Sequence, residues 1–534
     1  MLRKHTVFLY VITVFMLFGC ANRGNVSGGE KDVEPPIITK ILPENFSVNF
    51  NSKEINISFN EYVKLKDLRK QLIVSPPMEY DLTITPMGSA SKTINIVIND
   101  TLQENTTYAI NFGQSIVDNN EENPYSFYRY VFSTGNVIDS LSVSGAIADA
   151  LNRTADQFVS VMLYPIDSTF KDSTIYKTKP KYITNTLDST TTFKIENIKE
   201  GRYRLIALKD ENSNYTYEPK FDKIGFHESD ITVPTDSTFN INLFKEELDF
   251  KVFRPSQIGE QRIVFPYQGD FKEMQIEAIS RLPESFASVT TKDPETDSMY
   301  YWYKPKLEMD SVIFVVKHNA YRDTLVHRIN SATKDSLTIS ALQSGSLNFY
   351  EDFTIEGSTP MVAYDQSKMN IIDKDSVMVP FEVVRDSLFN RYLFEFDKTE
   401  EQKYTIKLLP EAITDFFGTT NDTLIYSINT RLKSNYGNIR INLQNATLPV
   451  IVQLVDDRNE VKYQRIATTS PVVDFNDLQP RTYYLRAIYD VNDNSKYDTG
   501  SYLLKQQPER VSYLAEPIEV RANFDFIIDF RLLD

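Results

Sequence analysis

The chain repeats itself at a distance of 280 residues, and the repeat needs no gap. Ile198 aligns with Leu478, Tyr203 with Tyr483, Leu205 with Leu485, Ala207 with Ala487, Asp210 with Asp490, Asn212 with Asn492, Asn214 with Asn494, Tyr217 with Tyr497 and Glu218 with Asp498. A fixed offset held over that length marks a duplicated unit. Whatever fold the first repeat takes, the second must take as well, so the chain is an array of modules.

Around both repeats, apolar residues return at every second position in short runs: Glu54–Phe59, Thr93–Ile98, Tyr108–Phe112, Tyr128–Phe132 and Ser311–Lys317. β-branched and aromatic residues in segments this short read as strands of sandwiches. Long amphipathic helices are nearly absent, although Val63–Leu72 has room for one or two helical turns. With 34 Phe, 31 Tyr and 41% hydrophobic content, the chain can fill several cores, and its length suggests about three to five domains. Cys20 is the only cysteine, so no intrachain disulfide forms and stability must come from burial.

Residues 37–134 resemble a bacterial Ig-like domain of the SbsA type. The resemblance rests on Pro35-Pro36 before the first strand, Ile55–Glu61 as a core strand, Thr107–Phe112, Ile116–Asn120 and the closing Phe132-Ser133-Thr134. It implies a fold and no catalytic position. The repeated units, 143–244 and 437–534, resemble prealbumin-like, seven-stranded sandwiches of the carboxypeptidase-regulatory or Cna-B kind, in which Tyr-x-Leu-x-Ala leads into a loop. Tyr404–Leu408, Asp415 and Asn429-Thr430 follow the order of Tyr108, Asp118 and Ser133-Thr134, so residues 346–430 read as a second, divergent Ig-like module. Residues 247–341 form a β-rich insert, expected to be another sandwich. The expected fold is therefore all-β: tandem Ig-like and prealbumin-like β-sandwiches, arranged as a duplicated unit with a β-rich insert.

Arg3 and Lys4, the apolar run Val7–Phe18 and the small Gly19 follow the plan of a secretory signal peptide over residues 1–19. The run is too short for a membrane span, which takes about 20 apolar residues. Leu17-Phe18-Gly19-Cys20 resembles a bacterial lipobox, which implies acylation at Cys20 and a lipidated tether over residues 20–36. Gly28–Asp32 followed by Pro35-Pro36 is similar to the linker of Bacteroidota lipoproteins that begin with an Ig-like module. Ala21 resembles the outer-membrane sorting pattern of Gram-negative lipoproteins. The expectation is an outer-membrane lipoprotein joined to the membrane through the lipid, with the surface and periplasmic faces both open. Loss of Arg3 and Lys4 leaves 55 basic against 73 acidic side chains, a net of −18. Such acidity excludes nucleic acid as a partner and disfavours spreading on an anionic bilayer.

The duplicated loop is the one candidate for site chemistry. Asp210, Asn212, Asn214 and Glu218 in the first repeat, and Asp490, Asn492, Asn494 and Asp498 in the second, place oxygen donors at positions 1, 3, 5 and 9, which suits Ca²⁺. Position 6 is Tyr215 or Ser495 where an EF-hand has glycine, and position 12 is Phe221 or Ser501 where it has glutamate. The competing reading is an Asx-turn loop, in which Asp and Asn bond their own backbone, and it is the favoured one because two carboxylates per loop bind calcium weakly. Catalytic constellations are missing: His227, His318 and His327 lack metal-ligand spacing, and no Gly-x-Ser-x-Gly elbow or phosphate-cradling glycine loop occurs.

Tyr300-Tyr301-Trp302-Tyr303 reads as a strand, with an exposed aromatic platform as the competing reading. Asp-Ser/Thr triplets recur at Thr101, Ser140, Ser168, Ser173, Ser189, Ser237, Ser298, Ser311, Thr324, Ser336, Ser376, Ser387 and Thr423. They are similar to the O-glycosylation acceptor of Bacteroidota exported proteins, while turn chemistry at strand starts explains them equally well. Two functions are expected from this sequence. The first is a non-catalytic, lipid-anchored scaffold for binding or adhesion, with a glycan or an envelope protein as partner. The alternative is a periplasm-facing accessory subunit of an envelope secretion or assembly machine.

Overall fold

The computed structural model describes residues 32–186 and 190–533. The leader, Cys20 and Ser189 lie outside the described residues. Within them the chain is all-β, a series of paired sheets with one hydrophobic core per pair.

In the first pair, Ile38–Leu42, Glu54–Leu65, Ser91–Val97 and Thr83–Thr85 neighbour one another in that order, and Ile73–Ser75, Thr107–Asn111 and Arg129–Ser133 form the facing sheet. Along Glu54–Leu65 every second side chain from Ile55 to Phe59 is buried, so the period-two pattern places Ile55 and Ile57 opposite Ile110 and Phe132 in one core. The alternating run continues past Phe59 because Val63–Leu65 pair with Ile116–Asp118; the helical turn follows at Leu68–Gln71.

The fourth pair repeats that order. Ile339–Ala341, Phe353–Gly357, Arg391–Glu395 and Glu382–Asp386 form one sheet, while Met369–Ile372, Lys403–Leu408 and Leu424–Asn429 run side by side in the other. Here the long second strand is divided into Phe353–Gly357 and Met361–Tyr364, and Pro360, which has no N–H for the ladder, stands in the break. Side-chain devices repeat as well. The Tyr108 hydroxyl accepts from the Gln103 N–H at 2.9 Å and the Tyr404 hydroxyl from the Thr399 N–H at 2.8 Å. Thr134 Oγ1 accepts from the Thr106 N–H, and Thr430 Oγ1 from the Gln402 N–H.

The first repeat comprises Leu141–Asp149, Ser160–Pro165, Tyr182–Asn185, Thr192–Ile198, Gly201–Lys209, Lys223–Phe226, Ile231–Val233 and Thr238–Leu243. The second comprises Gly437–Gln444, Val450–Val455, Val461–Ala467, Val472–Leu478, Thr482–Tyr489, Val511–Tyr513, Ile518–Glu519 and Asp525–Arg531. Both have the same strand order, with the first and last strands paired in parallel and all other neighbours antiparallel. The duplication is thus one of topology as well as of residues. In each repeat two short segments share one position beside the central strand, Lys223–Phe226 with Ile231–Val233 along Gly201–Lys209 and Val511–Tyr513 with Ile518–Glu519 along Thr482–Tyr489, so the eight segments fill seven strand positions.

The insert is another pair of sheets. Ser298–Lys304 lies between Arg262–Gln268 and Ala287–Lys292, and Ser311–His318 lies between Gln275–Ala278 and Tyr321–Arg328. Tyr301, Trp302 and Tyr303 are buried, and Trp302 Nε1 donates to Thr291 Oγ1 at 2.9 Å. The aromatic run is a core strand, and no platform is presented.

A sixth core lies between modules. Met162, Tyr164, Ile206, Leu208, Ile224 and Phe226, on the outer face of a first-repeat sheet, are buried together with Ile73 of the first sheet pair and Tyr502 of the second repeat. Strand register shows where Tyr502 comes from. Ile206 pairs with Phe226 and Arg486 with Tyr513, so the offset between repeats is 280 before the loop and 287 after it. The second repeat has gained seven residues there, and they lie in the segment that carries Tyr502. This side chain is 0% exposed and meets Phe226 edge-on at 5.4 Å. Around it, the Thr499 hydroxyl donates to the Lys245 carbonyl, the Tyr502 N–H to Glu246, and Gln507 Nε2 to the Phe226 carbonyl. Lys505 is ion-paired with Asp172.

The other junctions are also closed by specific contacts. Lys304 Nζ donates to the Phe416 carbonyl and Trp302 packs against Phe417. Asn348 Oδ1 accepts from the Tyr436 hydroxyl and from Gln479 Nε2. The chain runs from the first repeat into the insert, these contacts join the insert to the fourth pair and the fourth pair to the second repeat, and the second repeat docks back on the first.

Candidate functional site

Both loops leave the C-terminal end of a central strand, Gly201–Lys209 or Thr482–Tyr489. The first residue of each loop is its anchor. Asp210 accepts from the N–H groups of Asn214 and Tyr215 at 3.3 and 2.8 Å, and Asp490 accepts from Asn494 and Ser495 at 2.9 and 2.8 Å. Two residues of each loop take positive φ: Ser213 and Tyr215 in one, Asp493 and Ser495 in the other. Carboxylate bonds to successive backbone N–H groups hold those conformations in place.

The structure brings all four predicted residues of each loop together. Asn212 and Asn214 point their amide nitrogens at Glu218, and Asn492 and Asn494 point theirs at Asp498. The orientation of the inner amide is fixed, because Oδ1 of Asn214 accepts the Thr216 N–H and Oδ1 of Asn494 the Lys496 N–H, each at 2.8 Å. Nδ2 must then face the carboxylate. Each loop therefore spends its acidic and amide oxygens on its own chain and turns N–H donors toward its centre. In this arrangement amide nitrogens face the loop carboxylate, whereas a calcium cage takes six to eight oxygens directed at one point. Among the described residues, no group of three or more His, Cys, Asp and Glu is placed to hold a metal ion.

A further carboxylate braces each loop, and the fixed offset hides it. Asp222 accepts from the N–H groups of Glu211 and Glu218 at 3.1 and 2.7 Å; Glu509 accepts from those of Val491 and Asp498 at 2.9 and 3.0 Å. The two lie 287 residues apart, so at 280 Asp222 aligns with Tyr502 and the equivalence is lost. Burial pushes both carboxyls above their ordinary range; the N–H donors pull them back, and the loop carboxylates Asp210 and Glu218, or Asp498 and Asp490, push further upward. Tyr217 beside the first loop donates to Glu246 at 2.6 Å, and burial holds its phenol far above the usual range.

The loops face different neighbours. Asn214 and Thr216 border a cleft of about 460 Å³ shared with Met78 and Asp100 of the first sheet pair. Asn492 and Asp498 border a groove of about 770 Å³ between the two repeats.

Comparison with known proteins accounts for one end of the chain. Residues 32–134 match the family model of the bacterial Ig-like domain. The Ig-like match covers the first sheet pair, whose strands run from Ile38 to Ser133. No curated protein matches the chain. Among solved structures it is similar to surface layer protein SbsC, domains 1–6, at 12% identity over 91% of this chain and 67% of that one, with a TM-score of 0.16. The Bacillus anthracis TIE protein matches at 10% identity over 95% and 76%, TM-score 0.15. The BSP domain of a biofilm associated protein matches at 10% identity over 94% and 98%, TM-score 0.15.

Proposed function

We propose that the chain is a non-catalytic cell-envelope scaffold, anchored to the outer membrane by lipid at Cys20, whose sandwiches present loops and grooves for binding or adhesion. The observation that carries this reading is the docking of the second repeat on the first. Buried aromatics, which in a string of independent sandwiches would be needed only inside each core, are here invested in fixing modules against one another. Fixed modules hold their end loops in a constant arrangement, and such loops are where sandwiches bind. The Asp-Ser/Thr acceptors add a second surface trait. Apart from buried Ser298 and half-buried Ser311, every described acceptor is exposed, as attachment of a glycan requires.

One observation favours the accessory-subunit reading. Phe524, Ile527 and Leu533 stand exposed around the last strand, Ile527 at 73%, and a shallow cleft beside them is lined by Phe526 and Ile528. Apolar side chains gathered on one module suit contact with another protein. Protease treatment of intact cells, with a tag at the C-terminus and a periplasmic control protein, separates the readings. Loss of the tag while the control survives supports the surface scaffold; protection of both until the outer membrane is broken supports the periplasmic subunit.

A further inference from the structure

We propose that the groove between the two repeats is a binding site for a neutral oligosaccharide, an inference that rests on the binding-scaffold reading and names its ligand class. The groove, about 770 Å³, has His227, Ser229, Asn240 and Asn242 of the first repeat on one side and Asn492 and Gln506 of the second on the other. Neither repeat forms it alone.

Its charged groups, Glu228 apart, are already engaged. Both oxygens of Glu509 hold backbone N–H groups, and Asp498 holds the amides of Asn492 and Asn494. Arg510, the one cation in the lining, donates to the Leu533 carbonyl at 2.6 Å and lies over the Tyr489 ring. Glu228 stands exposed at the rim. The other free groups are neutral. Asn240 and Asn242 project from the exposed face of the edge strand Thr238–Leu243, on which every second residue is buried. His227 Nδ1 lies 2.9 Å from the Ser229 carbonyl; a carbonyl only accepts, so Nδ1 is the donor.

Each free amide offers a donor and an acceptor on one rigid plane, a match for neighbouring hydroxyls that are themselves both donor and acceptor. An acidic polymer would meet a chain of net charge −16 with no cation free to receive it. A peptide cannot add as a strand along Lys223–Phe226, where the Ile224 N–H and carbonyl are paired with Phe244 and the Phe226 carbonyl holds Gln507. A hydroxyl-rich neutral chain is the class that the groove's free groups satisfy.

The test is calorimetric titration of the purified full chain in detergent with maltohexaose, cellohexaose and mannohexaose, with hexagalacturonate and a neutral twelve-residue peptide as controls. The Asn240→Ala/Asn242→Ala variant, altered only at exposed positions and checked for an unchanged melting temperature, is titrated alongside. The expected result is saturable binding of at least one neutral hexasaccharide, weakened about tenfold or more in the variant, as loss of hydrogen bonds at a polar site produces. Absence of binding by all three at millimolar concentration, binding indifferent to the double substitution, or equal binding of either control would overturn the assignment. Cell shaving is read separately: a tag digested from intact cells with no titration signal removes the groove assignment and leaves the scaffold, while a protected tag with normal titration does the reverse.

Discussion

Asp490 is 1% exposed and Asp222 is equally buried, so the loops are held by carboxylates that cannot turn to water for a partner. Asp490→Ala removes the acceptor of the Asn494 and Ser495 N–H groups; both residues are exposed, so water replaces it and the net loss is that of an ordinary hydrogen bond, about 1 kcal/mol. The second repeat should lose about that much stability, measured by urea denaturation, while Asp490→Asn, which keeps one acceptor, loses less. Because the loops close on themselves, excess Ca²⁺ and excess chelator should give the same melting temperature. A ligand that binds only the folded state must raise it, so a rise with Ca²⁺ would show that the amides rotate away and a cation replaces them. His327, buried in the insert, behaves differently. Its Nδ1 lies against the Pro255 carbonyl and its Nε2 has no partner. Burial is the main cause of a folded pKa below 6.5; Arg254 nearby depresses it further, and the Pro255 carbonyl opposes both. The unfolded chain therefore takes the proton first. Stability is whole above pH 6.5 and falls as pH drops from there toward the lower folded value. Thermal melts between pH 7.5 and 5.5 should show this decline, and His327→Leu should flatten it.

At the scale of strands, alternation made the core faces legible. Ile55, Ile57, Ile94 and Ile96 are all inward as their spacing demands. The 280-residue offset likewise foretold two sandwiches of identical strand order. Its limits have equally physical causes. The seven-residue gain after the second loop leaves the strands intact and moves only their partners, so no alternating pattern marks it. Tyr502 sits among Leu503, Leu504 and Lys505 with nothing in its surroundings to distinguish a docking residue from a loop residue. The Tyr-Tyr-Trp-Tyr run was ambiguous for the same reason: a strand packed on both faces carries no alternation to read. One glycine shows how tightly the paired sheets fit. A Cβ at Gly145 would lie 1.8 Å from the Phe239 carbonyl oxygen and 2.7 Å from the Phe193 ring, across the parallel pairing of the first and last strands. Gly145→Ala must push those strands apart, and overpacking of that kind costs about 1–3 kcal/mol. Denaturant midpoints should fall for the first repeat, with the second repeat unaffected.

At the scale of the molecule, the second repeat returns to the first and closes the modules between them into a ring. Tyr502 is the plug in that junction and Lys505 the clasp. Lys505 also lies over the Tyr502 ring at 4.0 Å, so the ion pair and the buried aromatic support each other. Replacing Tyr502 with alanine should open the ring without unfolding the sandwiches, because each keeps its own core. Small-angle scattering should then report a larger radius of gyration, with far-ultraviolet circular dichroism unchanged. The groove shared by the repeats should be lost in the same step. The most direct measurement is zero-length carbodiimide coupling of the monomer followed by mass spectrometry. Lys505 and Asp172 are 333 residues apart in sequence and hydrogen-bonded in space. A closed ring predicts an intramolecular amide between them that disappears in Tyr502→Ala, while the link from Lys223 to Asp149 inside the first repeat forms in both proteins. Formation of the Lys223 link without the Lys505 link in the unsubstituted chain would mean that the repeats do not dock and the sandwiches hang as an open string.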